Sequence, residues 1–193
     1  MKAGGVDPAE IKWVIISHLH FDHAGLIDAF PRAMVLVDKR EWLSQKEKLA
    51  RKPDSREVSP AALEGHINLR LVDLSLVPAF GAFEHAADLF NDGTIYLLDL
   101  AGHTPGNMGA WINMDEGPVL LTGDASWVID NYRDLALPIR SNIFDLAQYT
   151  RRLYMIHGMA RAISGLVVFP GHDLSALKSI SRQDVKPVSF LPR

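Results

Sequence analysis

The hydrophobic residues of the chain fall into short runs with two different spacings. Almost continuous apolar runs rich in β-branched residues, such as 12–17 (KWVIIS) and 33–38 (AMVLVD), predict buried strands. Residues 143–164 carry apolar positions at helical spacing, and residues 38–50 predict a second helix, capped by Asp38 and with a charged, solvated face. Because strands and helices alternate along the chain, the pattern predicts a layered α/β domain.

Short β-like runs separated by turn signals occupy residues 66–123 and predict a sheet. Its predicted strands lie in residues 67–74, 94–100, 109–114 and 118–123. Residues 165–173 (GLVVFPGHD) predict a last buried strand, residues 7–10 (DPAE) a short helix, and the polar residues 51–60 a surface loop before another short helix. With no repeat, low-complexity tract or domain boundary, residues 1–193 are expected to form one domain.

Composition narrows the functions that this domain can have. The 193 residues are 48% hydrophobic, which is enough for a sizeable core, and 23 acidic against 20 basic residues give a net charge of -3. A mildly acidic protein has no general attraction for nucleic acid or anionic membrane, so neither is expected as a partner. No apolar run is long enough for a signal peptide or a membrane span, and we therefore expect a soluble, cytoplasmic protein.

The absence of cysteine restricts any metal site to histidine, aspartate and glutamate ligands. Residues 17–25 (SHLHFDHAG) hold three of the eight histidines and an aspartate. Alternate side chains of an extended segment share one side, so three of these polar groups should lie together while Leu19 and Phe21 face the core. The fourth ligand-type residue follows where we expect the extended chain to turn into a helix. Four such residues can bind two adjacent metal ions. These candidate ligands are His18, His20, Asp22 and His23.

Three later segments each place one ligand-type residue at the end of a predicted strand. They are AGHTPGN with His103, LLTGDAS with Asp124 and FPGHD with His172, and a glycine directly before each residue allows a close backbone bend. A lone histidine or Gly-Asp turn is usually structural. Together with the first cluster, however, these segments predict a metal site. Packing, solvated surface or other structural roles are expected for His66, His85, His157, Glu41, Trp42, Met155 and Met159.

With H-x-H-x-D-H at residues 18–23, followed in order by GHTPG, TGD and GHD, the chain resembles the metallo-β-lactamase superfamily. The resemblance implies an αβ/βα four-layer sandwich with a dinuclear metal cleft at one edge of its two sheets. It implies two zinc ions, with iron or manganese as alternatives, and candidate catalytic roles for the two aspartates. The implied ligands are His18, His20 and His103 for the first ion, Asp22, His23 and His172 for the second, and Asp124 between the two.

The chemistry of such a site points to hydrolysis. Two divalent ions about 3.5–4 Å apart repel each other and need an anionic carboxylate and a hydroxide between them. The ions lower the pKa of bound water towards roughly 7, which supplies a nucleophile without serine or cysteine. We therefore expect a metal-dependent hydrolase acting through a zinc-bound hydroxide.

Within the superfamily the motifs are most similar to the N-acyl homoserine lactonase branch, which implies a small lactone or ester substrate. Trp127 stands where lactonases of that kind usually carry tyrosine, and indole N–H can donate a hydrogen bond but cannot act as a phenolic acid. Tyr132 is a candidate replacement. Asn107 stands where many relatives have a second histidine, which is expected to change a contact behind the ligands and not the ligand set.

The same residues are also consistent with other functions. A glyoxalase II-like thioesterase would use the same site, an iron-dependent oxidoreductase could use the same nitrogen and oxygen ligands, and a metal-binding protein without activity is a fourth alternative. β-Lactamase and nuclease activities are disfavoured by the missing export signal and the acidic charge.

Only 17 residues precede the first histidine, fewer than the resemblance implies. We expect either a fragment or short form, or a homo-oligomer in which another copy covers an exposed sheet edge.

Overall fold

The computed structural model describes residues 5–52, 68–173 and 175 of the chain, and these ranges contain two β-sheets flanked by helices. Strands β1 to β8 span Trp13–Ile15, Met34–Asp38, Leu69–Val72, Ala86–Asp88, Ile95–Asp99, Met108–Ile112, Val119–Leu121 and Val167–Phe169. Helices α1 to α4 span Phe21–Ala24, Lys39–Arg51, Ile129–Asp134 and Leu146–Ala162. Short 3-10 helices lie at Pro8–Glu10, Ile27–Ala29, Leu74–Leu76, Gly123–Ala125 and Arg140–Asn142.

The two sheets differ in strand direction. In the first sheet β1, β2 and β3 run parallel in that order. In the second sheet β4 to β7 are antiparallel neighbours, and β8 pairs parallel with β7. Strands β5, β7 and β8 therefore point the same way, and the loops that follow them leave the sheet at one edge.

Alternation of side chains along β2 separates the core into layers. Val35 and Val37 pack towards α2 with Trp42, whereas Leu36 points the other way and packs with Leu97 of β5 between the sheets. The opposite face of the second sheet is covered by α4. The resulting order of helix, sheet, sheet and helix is the predicted αβ/βα sandwich.

The predicted cap of α2 is present, and a second cap begins the first 3-10 helix. The Asp38 carboxylate accepts a hydrogen bond from the Arg40 backbone N at 2.7 Å and begins α2, and Asp7 caps the 3-10 helix at Pro8–Glu10 through the Ala9 N–H. Strand β4 and helix α3 were not predicted from the sequence. Strand β4 (Ala-Ala-Asp) has no β-branched or aromatic residue, and α3 contains two aspartates and an asparagine, which disfavour helix interiors.

Two predictions about β1 and the histidine segment that follows it are wrong. Phe21 was expected in the core but is 62% exposed, because the extended conformation ends at His20 and α1 begins at Phe21. Leu19 is fully buried, as predicted. Strand β1 was expected to be buried but is only half-buried, since among the described strands it lies at the edge of its sheet. Trp13 is 39% exposed with its ring against Phe90. Coverage of this edge by a second copy of the chain stays a prediction.

His66 and residues 53–60 of the predicted loop lie outside the described residues. None of the helices in the described part of the chain is both long and apolar enough to cross a membrane.

The layer between the two sheets generates a stability prediction. Leu36→Ala should lower the free energy of unfolding by about 2–5 kcal/mol, because the leucine is 1% exposed and its loss leaves a cavity. Leu43→Ala is the matched control, because Leu43 on α2 is 56% exposed, and it should change the free energy of unfolding by about 0.5 kcal/mol or less. Urea unfolding of both variants checks this, and equal losses would contradict the layer assignment.

Candidate metal centre

Four segments that follow β1, β5, β7 and β8, and that include α1 and the 3-10 helix Gly123–Ala125, converge at one edge of the sandwich and carry all the predicted site residues. Within the described chain these residues form three groups whose donor atoms lie within 4.8 Å of one another. The groups are His18, His20 and His103; His18, His23 and Asp124; and Asp22, His23 and His172.

The first group is made of three imidazoles. The His20 Nδ1 lies 3.0 Å from the Nε2 of His18 and 3.2 Å from the Nε2 of His103. His18 and His103 are buried, and the two histidine-bearing loops meet at His20. Two ligand atoms bound tetrahedrally at about 2.0–2.1 Å from one zinc ion lie about 3.3 Å apart, so these nitrogens are spaced as one ion requires.

The group of Asp22, His23 and His172 lies closer to solvent than the three-imidazole group. The Nε2 atoms of His23 and His172 are 3.3 Å apart, and each lies 3.7 Å from the Oδ2 of Asp22. The Asp22 side chain is 40% exposed and that of His172 is 36% exposed. A ligand could therefore reach this half of the centre from solvent.

Asp124 lies between the two groups. Its Oδ2 is 3.4 Å from the His103 Nε2 and 3.3 Å from the His172 Nε2, while its Oδ1 is 3.3 Å from the His23 Nε2. The buried Oδ1 accepts no hydrogen bond from the described residues. A buried anionic oxygen without a donor is a suitable ligand for a cation.

A glycine precedes each of the three later site residues, and the backbone needs it. Gly102 and Gly123 have φ of +144° and +51°, where larger residues are strained. A side chain on Gly102 would also overlap the backbone of Tyr149, and one on Gly171 would overlap the Asp124 carboxylate. The bends that aim these three site residues at one another are therefore specified by sequence.

Burial controls the charge of the centre. It lowers the pKa of His103 to about 4, and it holds the pKa of His18 well below the ordinary value of 6.5, with the neighbouring imidazoles adding to the effect. Burial also raises the pKa of Asp124 to about 6. His18 and His103 are therefore neutral at pH 7, which is the state in which histidine binds metal.

Asn107 does not join the ligand-type groups and instead connects two loops behind them. Its side-chain amide donates to the carbonyl oxygens of Leu100 and Thr122, each at 3.2 Å, and its Oδ1 accepts from the Asp124 N at 3.1 Å. This buried residue therefore fixes the backbone of Asp124 relative to the loop that carries His103.

Trp127 lies beside the centre and Tyr132 does not replace it there. The indole ring is 5.9 Å from the His103 ring and 5.1 Å from the His172 ring, and its buried Nε1 has no hydrogen-bond partner among the described residues. Tyr132 packs instead against the hydrophobic clusters beside α3.

His85 and His157 lie outside the three groups, as expected. Their Nδ1 atoms bond to the backbone oxygens of Val77 and Tyr132 at 2.8 and 2.9 Å. Met159 and Met155 pack in and against the core.

Sequence reasoning missed the contribution of Glu41. It was assigned to packing or solvated surface, but it is fully buried and accepts hydrogen bonds from the backbone N–H groups of Leu19 and Gly106. Glu41 stands three residues after the N-cap Asp38, where an acid commonly belongs to a capping box, so no sequence signal separated it from that local role.

Comparison with known proteins places these residues in a family context. The family model of the metallo-beta-lactamase superfamily matches residues 1–183. The N-acyl homoserine lactonase AttM of Azorhizobium caulinodans is 31% identical over 185 residues, covering 94% of this chain and 65% of the relative. AiiA of Bacillus thuringiensis subsp. kurstaki is 30% identical over 183 residues, covering 93% of this chain and 62% of the relative.

Solved structures agree with the predicted fold. A structure of N-acyl homoserine lactone hydrolase with its product N-hexanoyl-L-homoserine at the catalytic metal centre matches with a TM-score of 0.67 and 26% identity, over 92% of this chain and 62% of that one. The predicted resemblance and fold are confirmed. The chain spans less than two thirds of these relatives, and only 50% of AttM from Agrobacterium fabrum, which is 35% identical over 72% of this chain.

The lowered pKa of His103 generates a prediction for the metal-free protein. Between about pH 6.5 and 4 the unfolded chain binds a proton at this residue and the folded chain does not, so stability is lost as the pH falls through that window. His18 and His23 act in the same direction, whereas Asp124 acts in the opposite direction because its pKa is raised. Acidification from pH 7 to 5 should cost about 1–2 kcal/mol through His103 alone.

The matched variant is His103→Gln, which cannot titrate at this position. Urea unfolding at pH 7 and 5 should show a smaller loss of stability in the variant than in the metal-free wild type. An equal loss in both proteins would contradict a neutral, buried His103.

Proposed function

The chain belongs to the metallo-beta-lactamase superfamily, and from that premise we propose that it is a metal-dependent hydrolase that opens an N-acyl homoserine lactone or a similar small lactone or ester. The observation that carries the proposal is the position of Asp124, whose carboxylate lies within 3.4 Å of histidine nitrogens from both groups. A carboxylate shared in this way is what two adjacent divalent ions require.

We assign the first ion to the three-imidazole group and the second to the solvent-facing group, with Asp124 as their common ligand. The donor set of nitrogen and oxygen atoms suits zinc and also suits iron or manganese. Support comes from the ligand-like spacing and from the neutral state of the buried imidazoles. The assigned ligands are His18, His20, His103, Asp22, His23, His172 and Asp124.

Two bound divalent ions would polarise the ester carbonyl and activate a water molecule for attack on it. Asp124 would balance the positive charge between the two groups. Asp22, which faces solvent, would take a proton from the attacking water and return it to the oxygen of the opened ring. The unpartnered indole N–H of Trp127 would donate a hydrogen bond to a substrate oxygen.

The choice of lactone rests on the relatives and on the surroundings of the centre. The relatives AttM and AiiA are N-acyl homoserine lactonases. Phe21, next to His20, is 62% exposed, and Phe144, whose backbone N donates to the His103 carbonyl, is 63% exposed. Exposed aromatic side chains beside a polar centre suit a substrate that joins a polar ring to an apolar acyl chain.

Activity should be measured with zinc-loaded protein and N-hexanoyl homoserine lactone, as acid released at constant pH. We expect ring opening that stops on chelation and returns with zinc. His20→Ala and Asp124→Ala should lose metal and activity together, because each removes an assigned ligand, while His157→Ala, outside the centre, should keep both.

Three outcomes would contradict the proposal. A variant at Asp124 that keeps two ions would overturn the ligand assignment. Turnover of S-lactoylglutathione without turnover of the lactone would indicate a thioesterase. Iron in the purified protein, with oxygen consumption and no hydrolysis, would indicate an oxidoreductase.

A further inference from the structure

We propose that Glu41 is a positioning residue, which holds two loops of the metal centre at ligand distance before any ion binds. This inference rests on the metal centre of the proposed function. Glu41 lies in the first turn of α2 and belongs to none of the three groups of ligand-type residues, so its effect on metal would be indirect.

The two carboxylate oxygens of Glu41 bond to different loops. Oε1 accepts from the Leu19 backbone N at 3.0 Å, and Oε2 accepts from the Gly106 backbone N at 3.2 Å. Oε1 also accepts from the Gln45 side chain at 2.9 Å, and the whole side chain of Glu41 is buried. One side chain therefore links two segments that are 22 and 65 residues away from it along the chain.

Both anchor points adjoin assigned ligands. Leu19 stands between His18 and His20, and Gly106 follows His103 by three residues. The two loops meet where the His20 Nδ1 approaches the His103 Nε2 at 3.2 Å. A shift of either backbone segment would therefore change the distance between ligands of the first ion.

The packing around Glu41 leaves little room for such a shift. A side chain on Gly106 would overlap the backbone N and Cβ of Glu41 and the Asp38 carboxylate, so only glycine allows this approach. Leu19 is fully buried. The preceding residue, Arg40, bonds to Asp38 at the end of β2 and to Asp99 at the end of β5, which fixes the same helical turn to both sheets.

The hydrogen bonds to Glu41 are also of a strong type. Among the described residues the donors to Glu41 are two backbone amides and one side-chain amide, all uncharged. Hydrogen bonds to a carboxylate are roughly twice as strong as neutral ones, and the first turn of a helix favours a negative charge. The Glu41 carboxylate therefore anchors both loops through backbone amides and not through an ion pair with a basic side chain.

The test compares Glu41→Gln with Glu47→Gln, an acid on the same helix whose side chain is 64% exposed. Glutamine keeps the size of the side chain, but its NH2 group cannot accept a hydrogen bond, so at least one loop loses its anchor. We expect zinc affinity, measured by competition with a chelator, to fall about 10–100-fold in Glu41→Gln and to stay unchanged in Glu47→Gln. Far-ultraviolet circular dichroism should show that both variants are folded.

Hydrogen exchange supplies a second readout, and its first part needs only the wild type. In the metal-free wild type the amides of Leu19 and Gly106 should be protected, and both should exchange faster in Glu41→Gln than in Glu47→Gln. Wild-type zinc affinity in Glu41→Gln would overturn the proposal. If Glu41→Gln does not fold, the metal-free wild type decides, because amides at Leu19 and Gly106 that exchange as fast as exposed loop amides would also overturn it.

The outcomes that test the positioning role of Glu41 can be distinguished from those that test the proposed lactonase function. Weaker zinc binding in Glu41→Gln together with no lactone hydrolysis by the wild type would support the positioning role and contradict the lactonase. Lactone hydrolysis by the wild type together with unchanged zinc affinity in Glu41→Gln would support the lactonase and contradict the positioning role.

Discussion

The proposed metal centre depends on keeping five imidazole rings and two carboxylates at ligand distance in a largely buried place. Nitrogen atoms that face each other at 3.0 to 3.3 Å give up hydrogen bonds to water, and burial keeps the pKa of His103 near 4 and raises that of Asp124 to about 6. These side chains do not stabilise one another well without a cation. The surrounding fold therefore has to supply the rigidity that brings them together.

Hydrogen bonds behind the ligands supply that rigidity. Glu41 connects the first histidine loop to the loop of His103, and Asn107 connects the latter to the backbone of Asp124. Arg40 ties the start of α2 to the ends of β2 and β5, and so to both sheets. Gly106 allows the close approach of its loop to Glu41, and Gly123 allows the close approach of its loop to Asn107. The positions of the proposed ligands thus depend on hydrogen bonds made by other residues, which do not themselves bind metal.

The sequence predicted those parts of this arrangement that depend on residues close together along the chain. Four ligand-type residues in six positions, and a glycine before each later one, placed the candidate centre at strand ends. The alternation of strands and helices along the chain predicted a layered α/β domain. Phe21 was misplaced because the change from extended to helical backbone occurs inside the motif. Glu41 was missed because its partners are backbone amides far away along the chain, which no side-chain pattern records.

The most direct test of the account is the number of metal ions per chain. The protein should be saturated with zinc, desalted, and measured by elemental mass spectrometry against protein concentration, because the account predicts that two groups sharing Asp124 hold two ions. About two zinc ions per chain would support it. A chain that keeps its fold but retains less than one ion would contradict it.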